Sequence, residues 1–118
     1  MDFAIDSQYC DPAGIRLAVV GEVDVATAPD LLSAVVAAVG AADRVVLDLG
    51  RLTFIDAAGL GALVACRRYA CDQGATLHLS DVPEHARRLL VITGLEATLL
   101  APLPDTRPGA DQERGRRP

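Results

Sequence analysis

Apolar and polar positions alternate weakly from Phe3 to Tyr9 and more sharply from Ile15 to Gly21, where Ile15, Leu17 and Val19 share one side. Both segments read as strands. Between them Asp11-Pro12-Ala13-Gly14 is a turn signal, because proline presets one turn dihedral and glycine tolerates positive φ. An antiparallel hairpin is expected. The period then changes. Leu31, Leu32, Val35, Val36 and Val39 recur at helical spacing behind Thr27-Ala28-Pro29-Asp30. There threonine can cap the free amides, proline fits the first turn and Asp30 complements the positive end of the dipole. Gly40 stops the run.

Arg44 to Leu49 is short, β-branched and apolar, the pattern of a buried central strand. A helix follows from Ala57 to about Gln73, with Leu60, Leu63, Val64 and Ala70 as its buried stripe, Arg67, Arg68 and Asp72 facing water, and Gly74 as its stop. Ala75 to Leu79 reads as a further strand. Ser80 or Asp81 is placed to cap a helix that carries Val82, Ala86, Leu89 and Leu90 and ends at Gly94, and Ala97 to Leu100 reads as a last short strand. The order β-β-α-β-α-β-α-β predicts one α/β domain over residues 1–100. Beyond it, Pro102, Pro104, Pro108, Gly109 and Gly115 with charges and no apolar period predict a disordered tail over residues 101–118.

Composition narrows the function classes. A chain of 118 residues supports one domain, and 51% hydrophobic with 3% aromatic residues makes its core aliphatic. With no Trp, two Phe and two Tyr, the chain lacks the stacking platforms of single-stranded nucleic-acid binding, and a net charge of −5 argues against a duplex-binding surface. All 11 basic residues are arginine, and the acidity is uneven: residues 1–56 hold nine acids against three arginines, residues 57–100 balance at four each, and residues 101–118 carry four arginines against three acids. The apolar run Leu31 to Ala42 is broken by Ser33 and Gly40 and is far short of the ~20 residues of a membrane span. Cys10, Cys66 and Cys71 form no even disulfide framework, and Cys66 and Cys71, five apart with only His78 and His85 to join them, fit no zinc spacing. They read as structural thiols. With no signal peptide opening the chain, a cytoplasmic protein without metal or cofactor is expected.

The segment Leu52-Thr53-Phe54-Ile55-Asp56-Ala57-Ala58-Gly59-Leu60-Gly61 leads from the buried strand into a helix, with Asp56 placed as the cap and small residues leaving the first turn uncrowded. Such a tip can hold an anion or let another protein approach the backbone. As a nucleotide fingerprint it is incomplete: Val64 stands where the third glycine belongs, and the glycines fall inside the helix rather than in the turn before it. Close helix–sheet packing explains these glycines as well. Catalysis is not expected, because His78 lies in a strand pattern, His85 lies on a helix surface, and no serine or cysteine neighbours either in a motif.

Gly21-Glu22-Val23-Asp24, Thr27-Ala28, the strand Val45 to Leu49 and Phe54-Ile55-Asp56-Ala57-Ala58-Gly59-Leu60-Gly61 together resemble the STAS domain of bacterial anti-sigma factor antagonists. Gly74 before a strand and Thr93-Gly94-Leu95 continue the resemblance, which covers about residues 3–100. It implies a mixed sheet of four to five strands with helices packed on one face, and a partner: an anti-sigma factor with an ATP-binding kinase fold. The partner-binding surface it implies is Glu22, Asp24 and Thr27 with Asp56, Ala57, Ala58, Gly59, Leu60 and Gly61. In switchable members the partner phosphorylates a serine just before the glycine that matches Gly59. Here that position is Ala58, preceded by Ala57, and the three serines of the chain, Ser7, Ser33 and Ser80, lie elsewhere. Thr53 is expected in the connection before the helix, and Thr27 is expected to cap a helix.

The resemblance therefore implies an antagonist-like module regulating transcription without the usual phosphate switch. It also admits a STAS scaffold or small-ligand sensor in a larger signalling assembly. Antagonists of this family commonly finish with an amphipathic helix, and residues 101–118 have no apolar stripe from which to build one. Either self-association, or binding to other STAS proteins, covers what that helix would have covered, or the core is shorter and needs no cover.

Overall fold

A computed structural model describes residues 3–10 and 14–100, in which strands β1 (Phe3–Cys10), β2 (Gly14–Val23), β3 (Arg44–Ile55) and β4 (Thr76–Ser80) form one sheet in that order. β1 and β2 pair antiparallel, as the hairpin pattern predicts, and the pairs β2–β3 and β3–β4 are parallel. The sheet is thus mixed and four-stranded. The expected turn at Asp11-Pro12-Ala13 and the expected tail over residues 101–118 lie outside the described residues.

Parallel pairs need crossovers, and helices supply them: α1 (Ala28–Ala41) joins β2 to β3 and α2 (Ala57–Asp72) joins β3 to β4. Alternation puts Ile15, Leu17, Val19, Val45, Leu47, Leu49, Leu77 and Leu79 on one face, where they are buried beneath Leu31 and Val35 of α1 and Leu60, Leu63 and Cys66 of α2. The opposite face carries Arg16, Val46, Asp48 and His78, half-buried or exposed. α3 (Glu84–Thr93) buries Ala86 and Leu90 and ends at Gly94, whose φ of 76° is the left-handed conformation expected of a glycine stop.

Four expectations are corrected. The central strand does not stop at Leu49. It runs to Ile55 through two irregularities, where Val20 and Glu22 of β2 face Arg51 and Phe54, so β3 carries extra residues. Each extra residue shifts the inside–outside phase, which is why buried positions fall at Leu49, Leu52 and Ile55 instead of alternating. Thr53 is accordingly an exposed strand residue and not part of a connection. The segment Ala97 to Leu100 is not a strand but part of helix α4 (Glu96–Leu100). The Gly94 reversal lets the Leu95 amide donate to the Leu90 carbonyl at 2.9 Å, and Leu95 and Leu99, four apart, then turn one helical face inward. Neither Ser80 nor Asp81 caps α3, which starts at Glu84 behind Pro83 with no side-chain cap. Both polar groups are drawn instead to Arg16 on the open face of the sheet.

Candidate functional site

The C-terminal ends of β2 and β3 deliver two connections to one edge of the domain. The first, between β2 and α1, is closed by its own side chains. The Asp24 carboxylate accepts from the amides of Ala26 at 3.0 Å and Thr27 at 3.2 Å. The Thr27 hydroxyl donates to the Glu22 carbonyl at 2.9 Å and accepts from the Asp24 amide at 3.0 Å. Thr27 occupies the position before α1, but its backbone is helical (φ −100°, ψ −13°) and its hydroxyl makes no cap bond. The expected cap is therefore a loop staple, because a hydroxyl turned back to Glu22 cannot also reach the first amides of the helix. With these bonds made, the apolar side chain of Val25 is left at the tip, 76% exposed.

The second connection is a single residue long. Asp56 is extended (φ −118°, ψ −170°), and its carboxylate accepts from the Gly59 amide at 2.9 Å, which is the cap the sequence predicts. Gly59 joins the two connections. A Cβ placed on it would run into the Val23 carbonyl oxygen at the end of β2 and would lie 2.6 Å from Ile55 Cγ1. Helix α2 can start this close to β2 only because residue 59 has no side chain. Gly61 is different: a Cβ there meets nothing within 4 Å.

Of the site residues expected from sequence, Glu22, Asp24, Thr27 and Asp56 are half-buried around this edge, while Ala57, Ala58 and Gly61 are exposed. Leu60 is 2% exposed and belongs to the core, and Gly59 lies buried behind the tip. Ala58 sits in an apolar groove of about 430 Å³ shared with Val25, Ala28, Pro29, Leu32 and Ala62. None of the other five is among the site residues expected from sequence, although Ala28 stands in the family motif and Ala28, Pro29 and Leu32 mark the start and stripe of α1. Val25, an apolar residue between acids, was the one available signal. Phe54, in register with Glu22 and 45% exposed, adds an aromatic ring at the same strand ends.

On the open face of the sheet, Arg16 reaches Asp48 at 3.0 Å, the Ser80 hydroxyl at 3.1 Å and Asp81 at 3.0 Å, tying β2, β3 and the end of β4 together. The amide of Gly50 donates to the Asp48 carboxylate; this, opposed by partial burial and helped by Arg16, holds that carboxyl below the ordinary aspartate value. Asp81 adopts φ 54°, a left-handed conformation that places its carboxylate on Arg16. Burial pushes the Cys66 thiol up to about 12. His85 Nε2 lies 3.1 Å from the Leu52 carbonyl oxygen, a contact made when that nitrogen carries the hydrogen. Among the described residues no three His, Cys, Asp or Glu side chains gather as a metal site would need, and no helix is long and apolar enough to cross a membrane.

The architecture has known counterparts. An anti-sigma factor antagonist from Mycobacterium paratuberculosis superposes with a TM-score of 0.73 at 27% identity, over 88% of this chain and 89% of that one. The anti-sigma factor antagonist SpoIIAA in its unphosphorylated form matches with a TM-score of 0.67 at 18% identity, over 95% of this chain and 97% of its own. A sulfate transporter family protein from Wolinella succinogenes matches with a TM-score of 0.67 at 21% identity, over 78% of this chain and 75% of that one. At those two lower identities the likeness is one of fold. No curated protein matches the sequence. The sequence model of the family described as Mlab, STAS domain, matches residues 9–102. With that match over most of its length and a four-stranded mixed sheet shared with these structures, the chain belongs to the STAS domain family.

Proposed function

We propose that this chain is an anti-sigma factor antagonist-type interaction domain that docks on an anti-sigma factor with an ATP-binding kinase fold and so regulates transcription. Its role on this reading is binding, not catalysis. The observation that carries it is the joint edge: the Glu22–Thr27 loop and the start of α2 are held together by the close approach at Gly59, and both present atoms outward around Ala58. The likeness to the Mycobacterium paratuberculosis antagonist supports it. Glu22, Asp24 and Asp56 give this edge a negative field that speeds encounter with a basic partner. The partner kinase finds no hydroxyl at Ala57 or Ala58, so the complex is not ended by phosphate at that position.

The test is to incubate the full chain with its kinase-fold partner and ATP, follow complex formation by co-elution, and map any phosphate by mass spectrometry. Stable binding without phosphate on residues 53–61 is expected. Ala58→Ser should bind like the wild type, and Ala58→Asp should weaken binding by placing a carboxylate in the apolar groove. Equal binding by the wild type and both variants would mean that the tip is not the interface. A second reading, a STAS scaffold or small-ligand sensor in a larger assembly, is favoured by the family description, which names Mlab and not an antagonist. Recovery of other STAS proteins instead of a kinase-fold protein in a pull-down would support it.

A further inference from the structure

The groove at Ala58 does not end at the tip. It shares Leu32 with a second, mainly apolar groove of about 580 Å³ between α1 and α2, lined by Val36, Gly61, Val64, Ala65 and Tyr69, with the charged Arg68 and Asp72 at its far end. Together the two run along α2 from Ala58 to Asp72, about 21 Å at helical rise. The floor is set by Ala58, Gly61, Ala62 and Ala65, at helical spacings of three, four and seven from the first. Gly61 has no reason within the fold to be glycine: a side chain there meets open space, and glycine inside a helix weakens it. Val25 and Val36, 76% and 39% exposed, stand along the α1 side.

We propose that this groove receives one amphipathic helix of a partner protein, apolar along its centre and basic at the end that lies over the starts of α1 and α2. The proposal rests on reading the chain as an interaction domain and adds the secondary structure and charge of what binds. A floor of glycine and alanine lets a helix backbone approach closely, and anchors at one-turn spacings fill a trough of this length. The charge follows from the rim. From Glu22 through Gly40 the chain carries Glu22, Asp24 and Asp30 and no basic residue, and Asp56 caps the start of α2, whose arginines, Arg67 and Arg68, lie ten and eleven residues into the helix, Arg68 beside Asp72 at the far end of the groove. A second copy fits less well, because it would set one concave floor of small residues against another and leave a void. The chain's own residues 101–118 offer Leu103 as their one large aliphatic and no helical stripe.

The test is a selection on the immobilised full chain from a displayed library of helical peptides about 15 residues long, the length of the trough. Leucine recurs at one-turn spacings and the other positions are drawn from Lys, Glu, Ser and Ala. Enriched peptides should carry lysine at one end, and their affinity should fall at least about tenfold on Ala65→Glu, which would stand a long charged side chain in the apolar trough. Gly61→Leu, which fills the floor with a better helix former, should do the same. Both positions are exposed, so thermal melts of the two variants should match or exceed the wild type. Ala97→Glu on α4 should change nothing. The proposal is overturned if no peptide enriches above bare scaffold, if acidic peptides enrich, or if enriched peptides bind both groove variants undiminished. Sedimentation showing a dimer of the full chain that Ala65→Glu dissolves would overturn it in favour of a second copy. The two readings fail separately. A kinase-fold partner that still binds Ala65→Glu sinks the helix and leaves the tip, whereas groove-dependent peptides with no kinase-fold partner leave the helix and sink the antagonist.

Discussion

Gly59→Ala adds one methyl group, and the structure places it against the Val23 carbonyl oxygen and 2.6 Å from Ile55 Cγ1. Ile55 could turn its side chain, but the Val23 carbonyl is backbone at the end of a strand and cannot. Relief requires α2 to slide outward or β2 to bend, and either movement stretches the bond from the Gly59 amide to Asp56. Overpacking of this kind costs about 1–3 kcal/mol, and contact with backbone puts it toward the upper end. Opposing it, Gly59 is helical and outside the left-handed region, so alanine recovers about 1 kcal/mol of helix propensity. The net is a loss of about 1–2 kcal/mol, which for a domain of this size lowers Tm by about 4–8 °C per kcal/mol. With no Trp in the chain, the assay is far-ultraviolet circular dichroism against temperature and urea, with an unchanged m-value. Gly61→Ala is the internal control, expected to gain about 0.5–1 kcal/mol because its methyl group meets nothing. If Gly59→Ala melts at or above the wild type, or both variants lose equally, close approach is not why residue 59 is glycine.

Thr27→Val removes a hydroxyl that serves two backbone groups and should cost about 1–2 kcal/mol, with Thr27→Ser restoring most of it; equal melts for all three would show the staple to be idle. For Asp48, whose folded-state carboxyl lies below its ordinary 3.8, the stabilisation is fully present above that value and is lost as pH falls through the lower folded one. The stability gap between wild type and Asp48→Asn should therefore hold steady near neutrality and shrink only in strong acid; a gap that widens in acid would contradict the sign. With its thiol pushed up to about 12 by burial, Cys66 should resist iodoacetamide in the native protein while exposed Cys71 reacts, and equal modification of the two by peptide mapping would refute the burial.

Much of this was legible in the residues, where the signal was local. The hairpin, the Asp56 cap and the Gly94 stop each depend on a few neighbouring positions, and each stands as read. The misreadings share a different cause. β3 looked six residues long because its two irregularities break the alternation that marks a strand, and only pairing with β2 shows that the chain stays in the sheet. Thr27 has the right residue type in the right place for a cap, yet the Glu22 carbonyl competes for its hydroxyl. Leu60, inside the motif that carries the family likeness, faces the core, since a motif names positions without their direction. The groove was the least legible feature. Periodicity gives the stripe a helix buries, but how two helices lie side by side, and what they leave open between them, is settled by the sheet beneath.

Gly59 and Gly61 divide the motif between folding and use. The first has a neighbour that forbids a side chain, so its identity follows from the domain alone. The second has none among the described residues, so packing does not fix its identity, and it lies on the same floor as Ala58. The same distinction bears on the alanines at 57 and 58. Both are exposed among the described residues, and a serine at either would fit the fold. Their lack of a hydroxyl is therefore a property of the surface and not of the core. On the proposed reading, a complex made through that surface has no phosphate to end it at residue 58, and its occupancy follows the concentrations of the two partners by mass action.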